Sequence, residues 1–372
     1  MRRIWIDGYE ANVPQRLGSG QVAVELIRNI EKLDKVNDYT ILVPSAPIED
    51  MPKEREGFRY KVLKPKPFWT WIALPLALFF SKKKPDVLFS PTHYTAVLSG
   101  IKKVNMIFDT AYLNFPNYFK KRDLWQLSLW TWLSVKSVKK VITISNSTAK
   151  DCIKYYDRKK EDIVVAYPGF NEELFNPDID KKGLEQTLEK YKIDAPYILF
   201  VGTLQPRKNL LRLIEAFKKI EGLKLVVVGK TTGPGRQGWM YEQILKKPQE
   251  LGIEEKVIFT GFAPNSDMPY LVGGAVALIQ PSLYEGFGMT AVEAMAAGTP
   301  VIVSNVSSLP EVVGEAGLLI NPNSVDQIEQ AIRTVATDKV LRAKLSKKGI
   351  EQASKFSWKR MTQITLKVLE TV

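Results

Sequence analysis

The chain of 372 residues has one cysteine, Cys152, and one histidine, His93. A single thiol cannot form an intrachain disulfide, and it suits a reducing compartment. Without a cluster of histidines and cysteines the sequence offers no zinc site. Asp178 and Asp180 have the spacing of a metal-binding acid pair, but they follow Asn176-Pro177 in a polar stretch that we interpret as a connector. We therefore predict that no metal is bound.

Long hydrophobic runs are also missing. The longest apolar stretch, residues 67–80, is too short for a membrane-spanning helix, which needs about 20 residues. The start, Met1-Arg2-Arg3-Ile4, has no apolar core of signal-peptide length. We therefore expect a cytoplasmic protein.

Acidic residues are outnumbered, 40 against 53 lysines and arginines, which gives a net charge of +13. The cations are spread along the chain without a nucleic-acid-binding motif, so we predict no nucleic acid partner. The first half instead places tryptophans near basic clusters, at Trp69, Trp71, Trp125, Trp130, Trp132, Lys82 to Lys84, Lys120 to Arg122, and Lys136 to Lys140. This combination is typical of a membrane interface and predicts peripheral attachment to the inner face of the cell membrane. An equally weighted alternative places the tryptophans in the core and the lysines on an ordinary surface.

Short apolar strands alternate with helical segments along the chain, which predicts an α/β fold with doubly wound parallel sheets. The alternation runs through residues 1–170, breaks in a polar connector at 171–195, and restarts over 196–355. Residues 356–372 form an amphipathic terminal helix with Ser357 as its N-cap. Ligands of such sheets bind at the carboxyl ends of the strands, so we expect a site in a cleft between the two domains.

The segment from Pro281 to Pro300 is the most informative part of the sequence. It follows an apolar strand at 275–279 and places Glu285 and Glu293 on either side of the start of a predicted helix. If wholly helical, this spacing would separate the two carboxylates by roughly 12 Å. Gly286 and Gly288 allow a ligand to approach the backbone, and the helix after them directs its positive dipole end there. An elongated anionic ligand is expected.

A second glycine turn follows the first strand of the second domain. Gly202 and Thr203 end that strand, and Arg207 and Lys208 follow Pro206 where the next helix is predicted to begin. Cations at a helix start oppose the dipole, so a phosphate ligand explains them better than a solvated helix end does.

Two further glycine turns give weaker signals. Gly18 and Gly20, after the first strand, suit close approach of a diphosphate or an acceptor but lack the full dinucleotide fingerprint. We predict that the turn from Gly229 to Gly235 is a mobile loop rather than a phosphate-binding turn.

Together these segments resemble retaining glycosyltransferases of the large family 4. The specific matches are the Glu285–Glu293 spacing, the Arg207-Lys208-Asn209 turn and residues 304–311, and the weaker ones are residues 141–147, 167–170 and 356–358. The resemblance covers nearly the whole chain. It implies the GT-B fold, with two Rossmann-like domains facing across a cleft and a terminal helix that crosses back to the first domain.

The resemblance also implies roles for single residues. Glu293 would hold the ribose hydroxyls of a nucleotide sugar, and Glu285 would contact hydroxyls of the transferred sugar. Backbone N–H groups of Gly286, Phe287 and Gly288 would meet the sugar and diphosphate, which Arg207 and Lys208 would neutralise. Further implied donor contacts lie at Gly202, Thr203 and Phe262, with Asp109 of the first domain beside the sugar.

Two positions depart from the family pattern. Phe108 stands where the family usually has a histidine before Asp109, and His93 is either its substitute or a structural residue. Thr203 stands where many relatives carry arginine, so Arg207 would carry more of the charge.

The implied activity is transfer of a hexose to an acceptor hydroxyl on a glycan or lipid-linked glycan, without a cofactor. The similarity is greatest to mannosyltransferases of surface polysaccharide assembly, which makes GDP-mannose the first donor expected and UDP-sugars the next. A nucleotide-sugar epimerase on the same fold and a non-catalytic nucleotide-sugar or membrane-binding module remain alternatives. A glycoside hydrolase is disfavoured because its carboxylates lie about 5 to 9.5 Å apart across the scissile bond.

Overall fold

A computed structural model describes residues 1–16, 18–230 and 241–372. The chain divides into two compact units. The first consists of residues 1–114, 121–169 and 357–372, and the second of residues 115–120 and 170–356. The segment 115–120 thus groups with the second unit, although it falls within the predicted first domain. The stretch predicted as a connector, 171–195, also belongs to the second unit.

The first unit is built on a parallel sheet. Its strands in the described residues are β1 (Arg3–Asp7), β2 (Asp38–Val43), β3 (Phe58–Val62), β4 (Val87–Ser90), β5 (Lys102–Ile107), β6 (Lys140–Thr143) and β7 (Ile163–Val165). They lie in the order β3-β2-β1-β4-β5-β6-β7, with every neighbouring pair parallel. The central strands are almost wholly buried, which explains why most of their residues are apolar.

Helices cover this sheet on both faces, as parallel sheets require. They are α1 (Ser19–Leu33), α2 (Leu74–Phe80), α3 (Ala111–Asn114), α4 (Lys121–Ser137) and α5 (Asn146–Tyr156), and a π-helical turn at Trp69–Ala73 leads into α2. None of the helices in the described residues is long and apolar enough to cross a membrane.

The second unit repeats the architecture. Its strands in the described residues are β8 (Tyr197–Val201), β9 (Lys224–Val228), β10 (Val257–Gly261), β11 (Ala277–Gln280), β12 (Val301–Ser304) and β13 (Gly317–Ile320), in the parallel order β10-β9-β8-β11-β12-β13. Its helices there are α6 (Lys181–Lys190), α7 (Leu210–Phe217), α8 (Tyr241–Leu251), α9 (Met268–Gly273), α10 (Met289–Ala296), α11 (Leu309–Val313), α12 (Val325–Thr337) and α13 (Lys339–Ala353).

The last helix, α14 (Trp358–Thr371), returns to the first unit. Ser357 caps its N-terminus by accepting a hydrogen bond from the N–H of Arg360. The guanidinium of Arg2 donates to the carbonyl of Leu369 at 2.9 Å, and Lys102 donates to that of Val372 at 2.6 Å. The two ends of the chain are therefore joined in one folded unit.

Strand order fixes where a ligand can bind in each sheet. The order reverses beside the first strand of each unit, between β1 and β4 and between β8 and β11. Loops from neighbouring strands diverge at such a point and leave room above the carboxyl ends. In the second unit this is the edge where β8 leads to Arg207 and Lys208, and β11 leads to Glu285.

Candidate active site

A buried asparagine anchors the turn that carries the two predicted phosphate-binding cations. Residues Pro206–Lys208 form a single 3-10 turn, so Arg207 and Lys208 precede α7 instead of starting it as predicted. Asn209 adopts a left-handed conformation, and its amide donates to the carbonyls of Pro281 and Pro322 at 2.9 and 2.6 Å. The N–H of Leu283 donates to the carbonyl of Arg207 at 2.7 Å. These bonds fix the cation turn against the segment that contains Glu285.

Glu285 is buried, and both of its carboxylate oxygens accept hydrogen bonds. Oε1 accepts from Lys208, from Gln280 at 2.8 Å and from Ser282 at 2.7 Å. Oε2 lies 3.3 Å from the guanidinium of Arg207. Burial by itself would raise the pKa of Glu285, but Lys208 and Arg207 outweigh it and lower that pKa to about 2. The carboxylate is therefore ionised at neutral pH and holds both cations at one point.

Gln280 and Ser282 were not predicted as site residues. Gln280 also accepts a hydrogen bond from Thr290 at 3.3 Å, so it joins Glu285 to the first turn of α10. Ser308 donates to the carbonyls of Glu285 and Phe287, both at 2.9 Å. The sequence did contain a signal for Gln280: it ends a buried strand, and a buried polar side chain needs a hydrogen-bond partner.

The N-terminus of α10 faces the same edge of the sheet. Among the described residues no side chain caps it, and Gly288 occupies the cap position with φ of 108°. A Cβ on Gly288 would lie 2.7 Å from Cδ2 of Leu309, so both the space and the backbone conformation require glycine. The side chain of Phe287 is buried against Phe356. Only the backbone of residues 286–288 is thus placed to meet a ligand, and the helix dipole there favours an anion.

Glu293 lies inside α10 and differs from Glu285 in its surroundings. It is half-buried, and its carboxylate has no hydrogen-bond partner among the described residues. Burial raises the pKa of Glu293 to about 8. Within the described part of the chain, the Glu293 carboxyl group therefore has no hydrogen-bond donors to stabilise its ionised form.

Three glycines lie at this edge of the sheet, at the carboxyl ends of β8, β9 and β10. The N–H of Gly202 donates to the carbonyl of Val228, and the N–H of Gly229 donates to that of Gly261, both at 2.9 Å. The side chain of Lys208 passes over Gly202, since a Cβ on that glycine would lie 3.5 Å from its Cε. Thr203 follows on the same edge, and its carbonyl accepts from the N–H of Gln205.

Phe262 follows Gly261 and is 52% exposed, with the ammonium of Lys230 lying 6.0 Å from its ring centroid. Most of the loop predicted at Gly229 to Gly235, from Thr231 onward, lies outside the described residues.

The remaining predicted residues belong to the first unit. Asp109 follows β5, is half-buried, and accepts a hydrogen bond from the N–H of Ala111 at 3.0 Å at the start of α3. Gly18 and Gly20 lie at the start of α1, after β1. The second unit therefore brings together Arg207, Lys208, Glu285 and the residues around them, while Asp109, Gly18 and Gly20 are positioned by a different sheet.

His93 supports Phe108 directly. Its Nε2 accepts the backbone N–H of Phe108 at 3.0 Å, and the two rings stack at 5.6 Å. Burial lowers the pKa of His93, against the opposing effect of Asp109, so the imidazole is neutral and carries its proton on Nδ1. The histidine therefore orders the backbone immediately before Asp109.

Comparisons with known proteins agree with this architecture. The family described as "Glycosyltransferase Family 4" matches residues 18–174, and "Glycosyl transferases group 1" matches residues 185–352. The O-antigen chain mannosyltransferase B of Escherichia coli is 32% identical over 267 residues, which are 71% of this chain and 69% of that protein.

A second relative, the serotype-specific mannosyltransferase WbdA of Escherichia coli, is 28% identical over 232 residues. These are 61% of this chain but only 28% of WbdA. Among solved structures, sucrose-phosphate synthase from Thermosynechococcus elongatus superposes with a TM-score of 0.80 over 100% of this chain and 99% of its own, at 18% identity. That likeness shows the fold alone.

Proposed function

Because this chain belongs to glycosyltransferase family 4 and is a glycosyltransferase with the GT-B fold, we propose that it transfers mannose from GDP-mannose to a hydroxyl of a glycan or lipid-linked glycan, with retained configuration. The observation that carries the proposal is the cluster of Arg207, Lys208 and Glu285 beside the uncapped N-terminus of α10. The choice of mannose is supported by the mannosyltransferase that shares 32% identity with this chain.

In the proposed reaction the bond between the anomeric carbon and the diphosphate breaks, and the acceptor oxygen bonds to that carbon while its proton passes to an oxygen of the departing diphosphate. Negative charge collects on the departing diphosphate. Arg207, Lys208 and the N–H groups of residues 286–288 would stabilise it, because they are already oriented and need no rearrangement. An ammonium has three N–H donors, so Lys208 can contact Glu285 and a phosphate oxygen together.

Other residues would position the donor. Glu285, anchored by Gln280 and Ser282, would present its carboxylate to sugar hydroxyls, and Glu293 would accept hydrogen bonds from the ribose. Gly202, Thr203 and Phe262 would border the nucleotide. Asp109 would contact the sugar, and Gly18 and Gly20 would allow close approach of the diphosphate or the acceptor.

We propose that no metal or cofactor takes part, since two cations and a helix N-terminus supply the positive charge. Among the described residues no three His, Cys, Asp or Glu side chains are grouped as metal ligands. We also propose that the enzyme works as a peripheral protein at the inner face of the cell membrane, supported by the exposed Trp125 and Trp132 near basic residues.

A donor screen tests the proposal. GDP-mannose should raise the melting temperature more than GDP-glucose or UDP-glucose does, and mannose should then appear in the acceptor with retained configuration by proton NMR, with or without EDTA. Preference for a UDP-sugar would overturn the donor assignment. Release of an epimerised sugar nucleotide without any acceptor would indicate the epimerase instead.

A further inference from the structure

The segment around α2 exposes an apolar face that an ordinary surface helix does not have. No charged residue occurs from Pro67 to Phe80. One face of the segment is buried against the sheet through Trp69, Leu74 and Leu78. The other face should be polar in a helix exposed to water, yet it too is apolar.

The exposed residues lie at helical spacing. Ile72, Leu76, Phe79 and Phe80 follow the i, i+4, i+7, i+8 pattern of one helix face, and all four are exposed. Phe79 and Phe80 are each 73% exposed. Phe68, just before the π-helical turn, is exposed as well. This is a continuous apolar stripe and not a scatter of single residues.

The apolar surface extends to a second helix. Trp71 of the π-helical turn contacts Trp130 of α4, with ring centroids 5.6 Å apart. On the same α4, Trp125 is 63% exposed and Trp132 is also exposed. By contrast, Trp69 is buried and donates to Asp7 at 2.9 Å. Of the five tryptophans grouped in the sequence, Trp69 is therefore buried, Trp71 and Trp130 are half-buried, and Trp125 and Trp132 are exposed.

The charged residues of this part of the sequence all have one sign. Between Gly57 and Pro85 the sequence has no Asp or Glu, and its seven cations are Arg59, Lys61, Lys64, Lys66, Lys82, Lys83 and Lys84. Lys64 and Lys66 precede the apolar stripe, and Lys82 to Lys84 follow it directly, all exposed. A helix that packs one apolar face on the protein, exposes another and has cations at both ends matches an anionic lipid surface, because the exposed apolar residues enter the acyl boundary while the lysines meet the headgroups.

We propose that residues 68–80 insert in the plane of an anionic membrane through Phe68, Ile72, Leu76, Phe79 and Phe80, with Lys82 to Lys84 on the headgroups. This inference deepens the peripheral attachment proposed above and assigns it to one element. Vesicle binding needs no sugar transfer, so its failure is distinguishable from failure of the proposed reaction.

The test is flotation of the full chain with vesicles of phosphatidylcholine, or of equal parts phosphatidylcholine and phosphatidylglycerol. The protein should float with the mixed vesicles. F79S/F80S should lower the partition coefficient at least about tenfold, since two large apolar side chains lose their burial in lipid. K82A/K83A/K84A should lower it roughly tenfold or more on the mixed vesicles only, and high salt should reproduce that loss.

Two matched controls should bind like the unaltered chain. They are V340S, which removes an exposed apolar residue elsewhere, and K181A/K182A/K344A, which removes three exposed lysines of the second unit. Melting temperature and GDP-sugar binding should stay unchanged in F79S/F80S. The proposal is overturned if the chain fails to float, if F79S/F80S floats unchanged, or if that variant instead abolishes a dimer in sedimentation.

Discussion

At the scale of single residues, Glu285 and Glu293 differ in protonation because their surroundings differ: at neutral pH Glu285 is ionised and Glu293 is neutral. The carboxylate of Glu285 accepts hydrogen bonds from two cations and two neutral donors, and its pKa lies near 2. Glu293, without partners among the described residues, has its pKa raised to about 8 by burial. In the proposed donor complex, ribose hydroxyls would supply the donors that Glu293 lacks.

Lys208→Ala should lower turnover by roughly 100-fold to 1,000-fold, because a fixed charge next to the departing diphosphate is lost. Steady-state transfer of mannose to acceptor measures this effect. Glu285 keeps Arg207, Gln280 and Ser282 as partners, so the fold should persist, which thermal unfolding checks. Lys182→Ala is the matched control. Undiminished turnover in Lys208→Ala would contradict the assigned role.

Glu293 predicts a pH dependence of stability. Because its folded pKa of about 8 lies above the ordinary value of 4.5, the folded chain keeps a proton that the unfolded chain releases between these pH values. Stability contributed by this group therefore falls as pH rises from 4.5 to 8. Asp7, whose pKa is raised to about 7 by burial, adds a similar decline in the first unit.

Glu293→Gln should flatten this decline by about 2 kcal/mol, a value reduced from the full shift because the side chain is only half-buried. Urea unfolding between pH 5 and pH 8.5 is the measurement, and Glu311→Gln serves as the control. An unchanged pH profile in Glu293→Gln would mean that the carboxyl has donors after all.

At the scale of elements, the buried strands were predictable, as were the edge strands β7 and β10, whereas the edge strands β3 and β13 were not. Strands such as β1, β5 and β8 are apolar because both faces are covered, and this pattern is visible in the sequence. Strand β3 was missed because it is an edge strand in which Arg59 and Lys61 alternate with apolar residues. Strand β13, Gly317–Ile320, was missed as well, and it lies at the edge of the other sheet with two half-buried residues and one exposed.

The residues of the site also differ in how clearly the sequence reveals them. Glycines and adjacent cations carry a local signal, so the Arg207–Lys208 turn and the α10 start were predicted. The role of Asn209 depends on Pro281 and Pro322, which lie 72 and 113 positions away, and the roles of Gln280 and Ser282 depend on a turn that brings them to Glu285. The prediction that Arg207 and Lys208 begin this helix was wrong, because Asn209 takes a left-handed conformation that separates their turn from α7, which starts at Leu210.

Gly288→Ala tests the start of α10 as an element. The substitution forces a residue with a Cβ into a positive φ and against Leu309, which should cost about 1 to 3 kcal/mol and displace the helix N-terminus. Nucleotide affinity should fall together with the melting temperature. Gly100→Ala, with no atom near its Cβ, should change neither. Retained affinity in Gly288→Ala would argue against an anion site there.

At the scale of the whole molecule, α14 completes a unit that begins at the other end of the chain. Leu369 is fully buried in the first unit. Leu369→Ala should therefore destabilise that unit by about 2 to 5 kcal/mol. Proteolysis should cut first within residues 1–169, while nucleotide binding by the second unit persists. Lys367→Ala, on the exposed face of the helix, should have no effect, and first cleavage within 170–356 would contradict the assignment.

The return of α14 also bears on how the protein is made. During synthesis every residue of the second unit has been added to the chain before residues 357–372. The unit that starts first is thus finished last, with the surface that later contacts α14 uncovered on the nascent chain. Chaperone capture and aggregation at this stage should concentrate on the amino-terminal unit, and a premature stop before α14 should be more harmful than its short length suggests.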